Sequence, residues 1–139
     1  MPYERDFYQW TAETAALLRD RRFEEVDLDA VIEEIESLGR REKHEVYTRV
    51  LRIVEHMLKL DLATGPLLDY NQRGWKGSVE RQRVELRRLI RDSPSLRTHI
   101  DAELIGQAYR DAAHVVALEH DLQPARDCPY SISAVLGDC

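Results

Sequence analysis

The sequence predicts an all-α fold: a bundle of four main helices with short extra helical turns and a pinned C-terminal extension. Three observations carry this expectation. Nearly every long segment repeats its apolar residues at spacings of three and four. None sustains the period-two alternation of a half-buried strand. A length of 139 residues, 43% of them hydrophobic, suits one domain (1–139) with a core of its own.

The first helix is expected from about Glu4 to Arg21, with Phe7, Trp10, Thr11, Thr14, Leu17 and Leu18 on one face. Asp27 is placed as an N-cap, followed by Leu28, Val31, Ile32, Ile35 and Leu38 at core spacing. Gly39 then allows a break, a bend or a close helix crossing. The pattern resumes through Val46, Val50, Ile53, Met57 and Leu60, and Tyr47, Leu51, Val54, Leu58 and Leu62 widen it. An apolar arc that broad places residues 43–63 at the centre of the bundle.

Thr64-Gly65-Pro66 reads as a stop, followed by a polar loop to Gly77. The next helix, Gly77 to Arg91, turns Val79, Leu86, Leu89 and Ile90 inward, with Trp75 on the same line. Ser93-Pro94 starts a short turn through about His99. A last long helix, Asp101 to His120, buries Leu104, Ile105, Ala108, Ala112, Val115 and Val116. Beyond Cys128-Pro129-Tyr130, Ser131 caps a final apolar turn of Ile132, Val135 and Leu136. The mutually buried set is expected to include Val50, Ile53, Val54, Met57, Leu86, Val115 and Val116.

Composition narrows the function classes. Twenty Lys+Arg against twenty-six Asp+Glu give a net charge of −6, which disfavours a surface gripping nucleic acid all over. The most apolar run, Val50 to Leu62, is interrupted by Arg52, Glu55, His56, Lys59 and Asp61, so no membrane span is expected. The opening Met1-Pro2-Tyr3-Glu4-Arg5-Asp6 has no signal-peptide pattern, which makes a reducing cytoplasm the expected compartment. Cys128 and Cys139 are the two cysteines; a bridge between them is conceivable but not the expectation.

Charge is concentrated in two places. Segment 73–91 holds Arg73, Lys76, Arg81, Arg83, Arg87, Arg88 and Arg91 against Glu80 and Glu85. Flanked by Trp75 and Tyr70, it offers the cations and stacking surface that a nucleic-acid site needs. Segment 24–36 holds seven acids and no base, so a basic-on-acidic helix contact would consume both patches. That contact is the preferred expectation. The candidate interaction surface is Arg73, Trp75, Lys76, Arg81, Arg87, Arg88 and Arg91.

Gln82 falls in the apolar line of its helix, so it needs hydrogen-bond partners; Thr11, Thr14 or a tyrosine are candidates. No catalytic, cofactor or metal site is assigned. There is no inward Glu-x-x-His pair for a di-iron bundle, and His44 and His56 do not converge on one helix. Cys128 has no base fixed beside it, and Gly74-Trp75-Lys76-Gly77-Ser78 lacks the spacing of a phosphate loop.

Several strings together resemble one family. These are Asp6-Phe7-Tyr8-Gln9-Trp10-Thr11, Glu34-Ile35-Glu36-Ser37-Leu38-Gly39, Ser93-Pro94-Ser95-Leu96, Ala108-Tyr109 with Asp111-Ala112, and Cys128-Pro129-Tyr130. The chain is similar over nearly its whole length to the bacterial family of domain of unknown function 29. The resemblance implies a small all-helical bacterial protein and brings no activity, cofactor or catalytic residue with it. The expected function is therefore a protein–protein interaction or self-association module without catalysis. A nucleic-acid-binding accessory protein using the basic helix is the alternative.

Overall fold

The computed structural model describes residues 6–138, and every regular element among them is helical. The expected helix start at Glu4 and one end of the Cys128–Cys139 bridge lie outside the described residues. The chain divides into two compact units, one up to Arg41 and one from Glu42 onward.

In the N-terminal unit, α1 (Phe7–Arg19) begins at Asp6, whose carboxylate accepts from the Gln9 amide at 3.0 Å. The helix ends before Arg21, which adopts a left-handed backbone with φ of 60°. A 3₁₀ turn (Phe23–Glu25) follows, with Arg22 paired to Glu25. Asp27 then caps α2 (Leu28–Leu62), accepting from the Ala30 amide at 3.1 Å as its sequence position predicts.

Gly39 neither breaks α2 nor marks a crossing. It lies inside a continuous 35-residue helix, and a Cβ built on it meets nothing within 4 Å. The expectation that Leu28, Ile32, Ile35 and Leu38 face a core is corrected here. They are between 51% and 62% exposed, whereas Ala30 is buried and Glu34 and Ser37 are half-buried.

The C-terminal unit contains the rest of α2, then α3 (Gly65–Asp92), a 3₁₀ turn (Pro94–His99), α4 (Ala102–His120) and α5 (Ile132–Leu136). Val46, Val50, Ile53 and Val54 of α2 are fully buried, as their central placement predicts. They share a core with Val79, Leu86 and Leu89 of α3, Ile105, Ala108, Ala112 and Val116 of α4, and Val135 of α5. Two members of the expected set are corrected. Val115 is 37% exposed, and Met57 is only partly buried while its neighbour Leu58 is buried instead.

The polar loop expected over 64–77 is helix. Gly65, at φ of 60°, turns the chain sharply after α2, and Pro66 begins the new helix where its missing N–H is no loss. Gly74 and Gly77 sit within α3 at a modest cost in helix propensity, and burial of Trp75 between them offsets it.

The C-terminal extension is tied down at four points. The Tyr109 hydroxyl donates to the Ala125 carbonyl at 2.6 Å, and the Tyr130 hydroxyl to Asp61 at 2.5 Å. Arg83 donates from Nε to the Val135 carbonyl at 3.0 Å and from Nη2 to the Ala134 carbonyl at 2.7 Å. Ser131 caps α5, and Val135 and Leu136 are buried.

Candidate interaction surface

At 100° per residue, Arg73, Lys76, Arg81, Arg87, Arg88 and Arg91 of α3 fall within an arc of about 140°. All six are exposed. The basic face expected from the sequence is therefore present on one side of one helix. It is not uniformly positive, because Glu80 lies in the same arc. Arg88 pairs with Glu85 at 2.6 Å, Arg91 lies 4.0 Å from Asp92, and Arg81 donates to the Ser78 hydroxyl at 3.3 Å. The Glu85 carboxyl is held below its usual range by the hydrogen bond from Arg88 and then by the charge of its guanidinium.

Trp75 departs from the rest of the candidate set. It is only 9% exposed, so its ring offers no platform to a stacked base, whereas Tyr70 is 89% exposed. Arg83, a further cation of the basic segment, holds α5 as described above. In the acidic segment, Glu33 and Glu36 pair with Arg40 at 2.7 and 3.9 Å. The ion pairs of both segments thus include partners within two turns of the same chain.

Gln82 is hydrogen-bonded as its position demands, but its partner is Arg49 rather than Thr11, Thr14 or a tyrosine. Arg49 Nη1 donates to Gln82 Oε1 at 2.9 Å, and Nη2 reaches Glu45 at 3.3 Å. Arg49 Nε is buried without a partner in the structure. Beside this pair is a surface groove of about 510 Å³, lined also by Glu80, Arg81, Val84 and Glu85. Its two arginines and two glutamates cancel, so the groove has no net preference for an anion or a cation.

A charged cluster around one buried lysine gave little warning in the sequence. Lys59 is 7% exposed and sits 3.3 Å from Glu55 and 3.8 Å from Glu119, with its ammonium 5.8 Å from the centre of the Trp75 ring. His120 meets Trp75 edge-on and lies 3.8 Å from Glu119. A buried ammonium needs such compensation, and the cluster joins α2, α3 and α4. Its only sequence signal is the four-residue spacing of Glu55 and Lys59 inside an apolar run.

Tyr47 and Asp111 join α2 to α4 through a hydrogen bond donated by the phenol. Burial, then the bond to Asp111, pushes the Tyr47 hydroxyl up to about 12. Asp111 is held below its usual value by the bonds from Tyr47 and Gln107. The raised phenol contributes stability that is full below pH 10 and is lost as pH rises toward 12. The lowered carboxyl contributes stability present above the ordinary aspartate range and lost as pH falls through its folded value. Tyr47→Phe is expected to shallow both losses, read as urea midpoints at pH 9 and 11 and at pH 5 and 3. Unchanged slopes on both sides would show that the bond is not formed in solution.

Among the described residues, no group of three or more His, Cys, Asp or Glu is arranged to hold a metal, and no helix is long and apolar enough to cross a membrane. The model of the family named domain of unknown function DUF29 matches residues 2–139. The chain belongs to the DUF29 family. For this DUF29 protein, no curated protein and no solved structure gives a match. Within that matched span lie both the basic face of α3 and the exposed stripe of α2.

Proposed function

We propose that this DUF29 protein is a helical interaction module, its C-terminal unit a scaffold and its N-terminal unit the contact surface. The observation that carries the reading is the exposure of Leu28, Ile32, Ile35 and Leu38 along one rigid helix. Scattered exposed leucines are ordinary, but a contiguous apolar stripe rimmed by charge marks a surface that another molecule covers. Crosslinking from a photoreactive residue at position 35, with position 70 as an exposed control, tests it. Adducts to one defined protein, whether a second copy or another chain, are expected at position 35 only. No adduct there, or the same products from both positions, would overturn the reading.

Nucleic-acid binding is the second reading, favoured by the six exposed cations on α3. Against it stand the net charge of −6, Glu80 within the basic arc and the burial of Trp75. Negligible affinity for a mixed-sequence oligonucleotide at physiological salt is expected, for the parent and for Arg87→Gln/Arg88→Gln/Arg91→Gln alike. Micromolar binding that the triple change abolishes, with a log–log salt slope reduced by about 0.7 per lost contact, would establish the second reading instead.

A further inference from the structure

We infer that the partner of the exposed stripe is a second copy of this chain, paired antiparallel along the first four turns of α2. This inference rests on the interaction reading and names its occupant. Leu28, Ile32 and Ile35 fall within about 60° of one another around the helix, with Leu38 alongside. Ala30, which is buried, and Ser37, which is half-buried, lie on the opposite side. The stripe is therefore a second face of the helix rather than the margin of the covered one.

The charge pattern selects both the partner and its direction. From Glu24 to Glu36 there are seven acids and no base, while Arg40, Arg41 and Lys43 follow with one acid between them. Two such segments side by side in parallel would set seven acids against seven. Antiparallel pairing lays the acidic end of each copy on the basic end of the other, the self-complementarity that a two-fold interface requires. Pairing about the midpoint between Glu33 and Glu34 brings the level of Asp27 to that of Arg40, Ile32 against Ile35 and Leu28 against Gly39 of the second copy.

At that last position a Cβ built on Gly39 meets nothing within 4 Å in the chain itself, which leaves room for the approaching leucine. The Arg40 pairs with Glu33 and Glu36 are exposed and exchange readily with an intermolecular pair. Four turns on each side make a small interface, so a dimer of micromolar rather than nanomolar strength is expected.

Sedimentation equilibrium of the full chain, from low micromolar to near-millimolar concentration, tests the pairing. A concentration-dependent rise toward twice 16.2 kDa is expected. Ile32→Asp/Ile35→Asp should weaken it by roughly 100-fold or more, with an unchanged circular dichroism spectrum. Direction is read by disulfide capture in a background carrying Cys128→Ser and Cys139→Ser. Leu28→Cys with Gly39→Cys should give a covalent dimer, and Leu28→Cys alone should not.

A monomer throughout the range, or a dimer untouched by the two aspartates, overturns the inference. Capture by Leu28→Cys alone overturns the antiparallel direction. If the chain stays monomeric while position 35 still crosslinks to a different protein, self-pairing falls and the interaction reading stands. If both fail, both fall.

Discussion

Truncating Ile53 to alanine is expected to destabilise the protein by roughly 2–5 kcal/mol. Ile53 is fully buried in the C-terminal part of α2, and the core around it draws on α3, α4 and α5. Removing three carbons from such a site loses their transfer free energy and leaves a cavity that helices held on several sides cannot close. Met57→Ala, one turn further on, should cost less, because Met57 is only partly buried and thioether side chains occupy adaptable space. Urea denaturation of both variants checks the order. A loss below about 0.5 kcal/mol for Ile53→Ala would be far too small for a filled core site and would contradict the placement of α2.

Arg83→Ala is expected to cost roughly 2–4 kcal/mol, through two hydrogen bonds from a charged donor to backbone carbonyls of α5. Those carbonyls, of Ala134 and Val135, belong to the last turn of α5, where no further helical N–H follows to satisfy them. The guanidinium also closes over Gly137, which ends the helix at φ of 78°, and a Cβ there would meet Arg83 at 3.0 Å. Lysine at position 83 would keep the charge but not the planar fork that reaches both carbonyls, so Arg83→Lys should recover little of the loss. The distinguishing readout is hydrogen exchange. Amides of Ile132–Leu136 should exchange faster in Arg83→Ala while those of Val50–Val54 change far less. Equal protection of α5 in parent and variant would show that apolar burial of Val135 and Leu136 alone holds the extension.

Much of the fold was legible because helix signals are local. Asp27 and Ser131 each cap the helix their positions announce, since a short side-chain acceptor satisfies an amide only two or three residues away. Ser93-Pro94 likewise begins the 3₁₀ turn. The candidate surface was legible in part, for the same reason: a basic face is a matter of spacing on one helix. The removal of Trp75 from it was not, because its ring is held by residues distant in sequence, Lys59 and His120.

Periodicity told which residues share a face, and for 46–58 the breadth of the apolar arc also told that the face is buried. For 28–38 the same periodicity was misleading, since a stripe reads alike whether another element covers it or solvent does. Thus the sequence by itself determined the helical class, the caps at Asp27 and Ser131, the central place of residues 43–63 and the family. Only the tertiary structure decided that α3 starts at Gly65, that Gln82 answers Arg49, and that Leu28, Ile32, Ile35 and Leu38 stand open. The physical reason is range: caps and helical hydrogen bonds act within about a turn, whereas burial is set by side chains that approach from elsewhere in the fold.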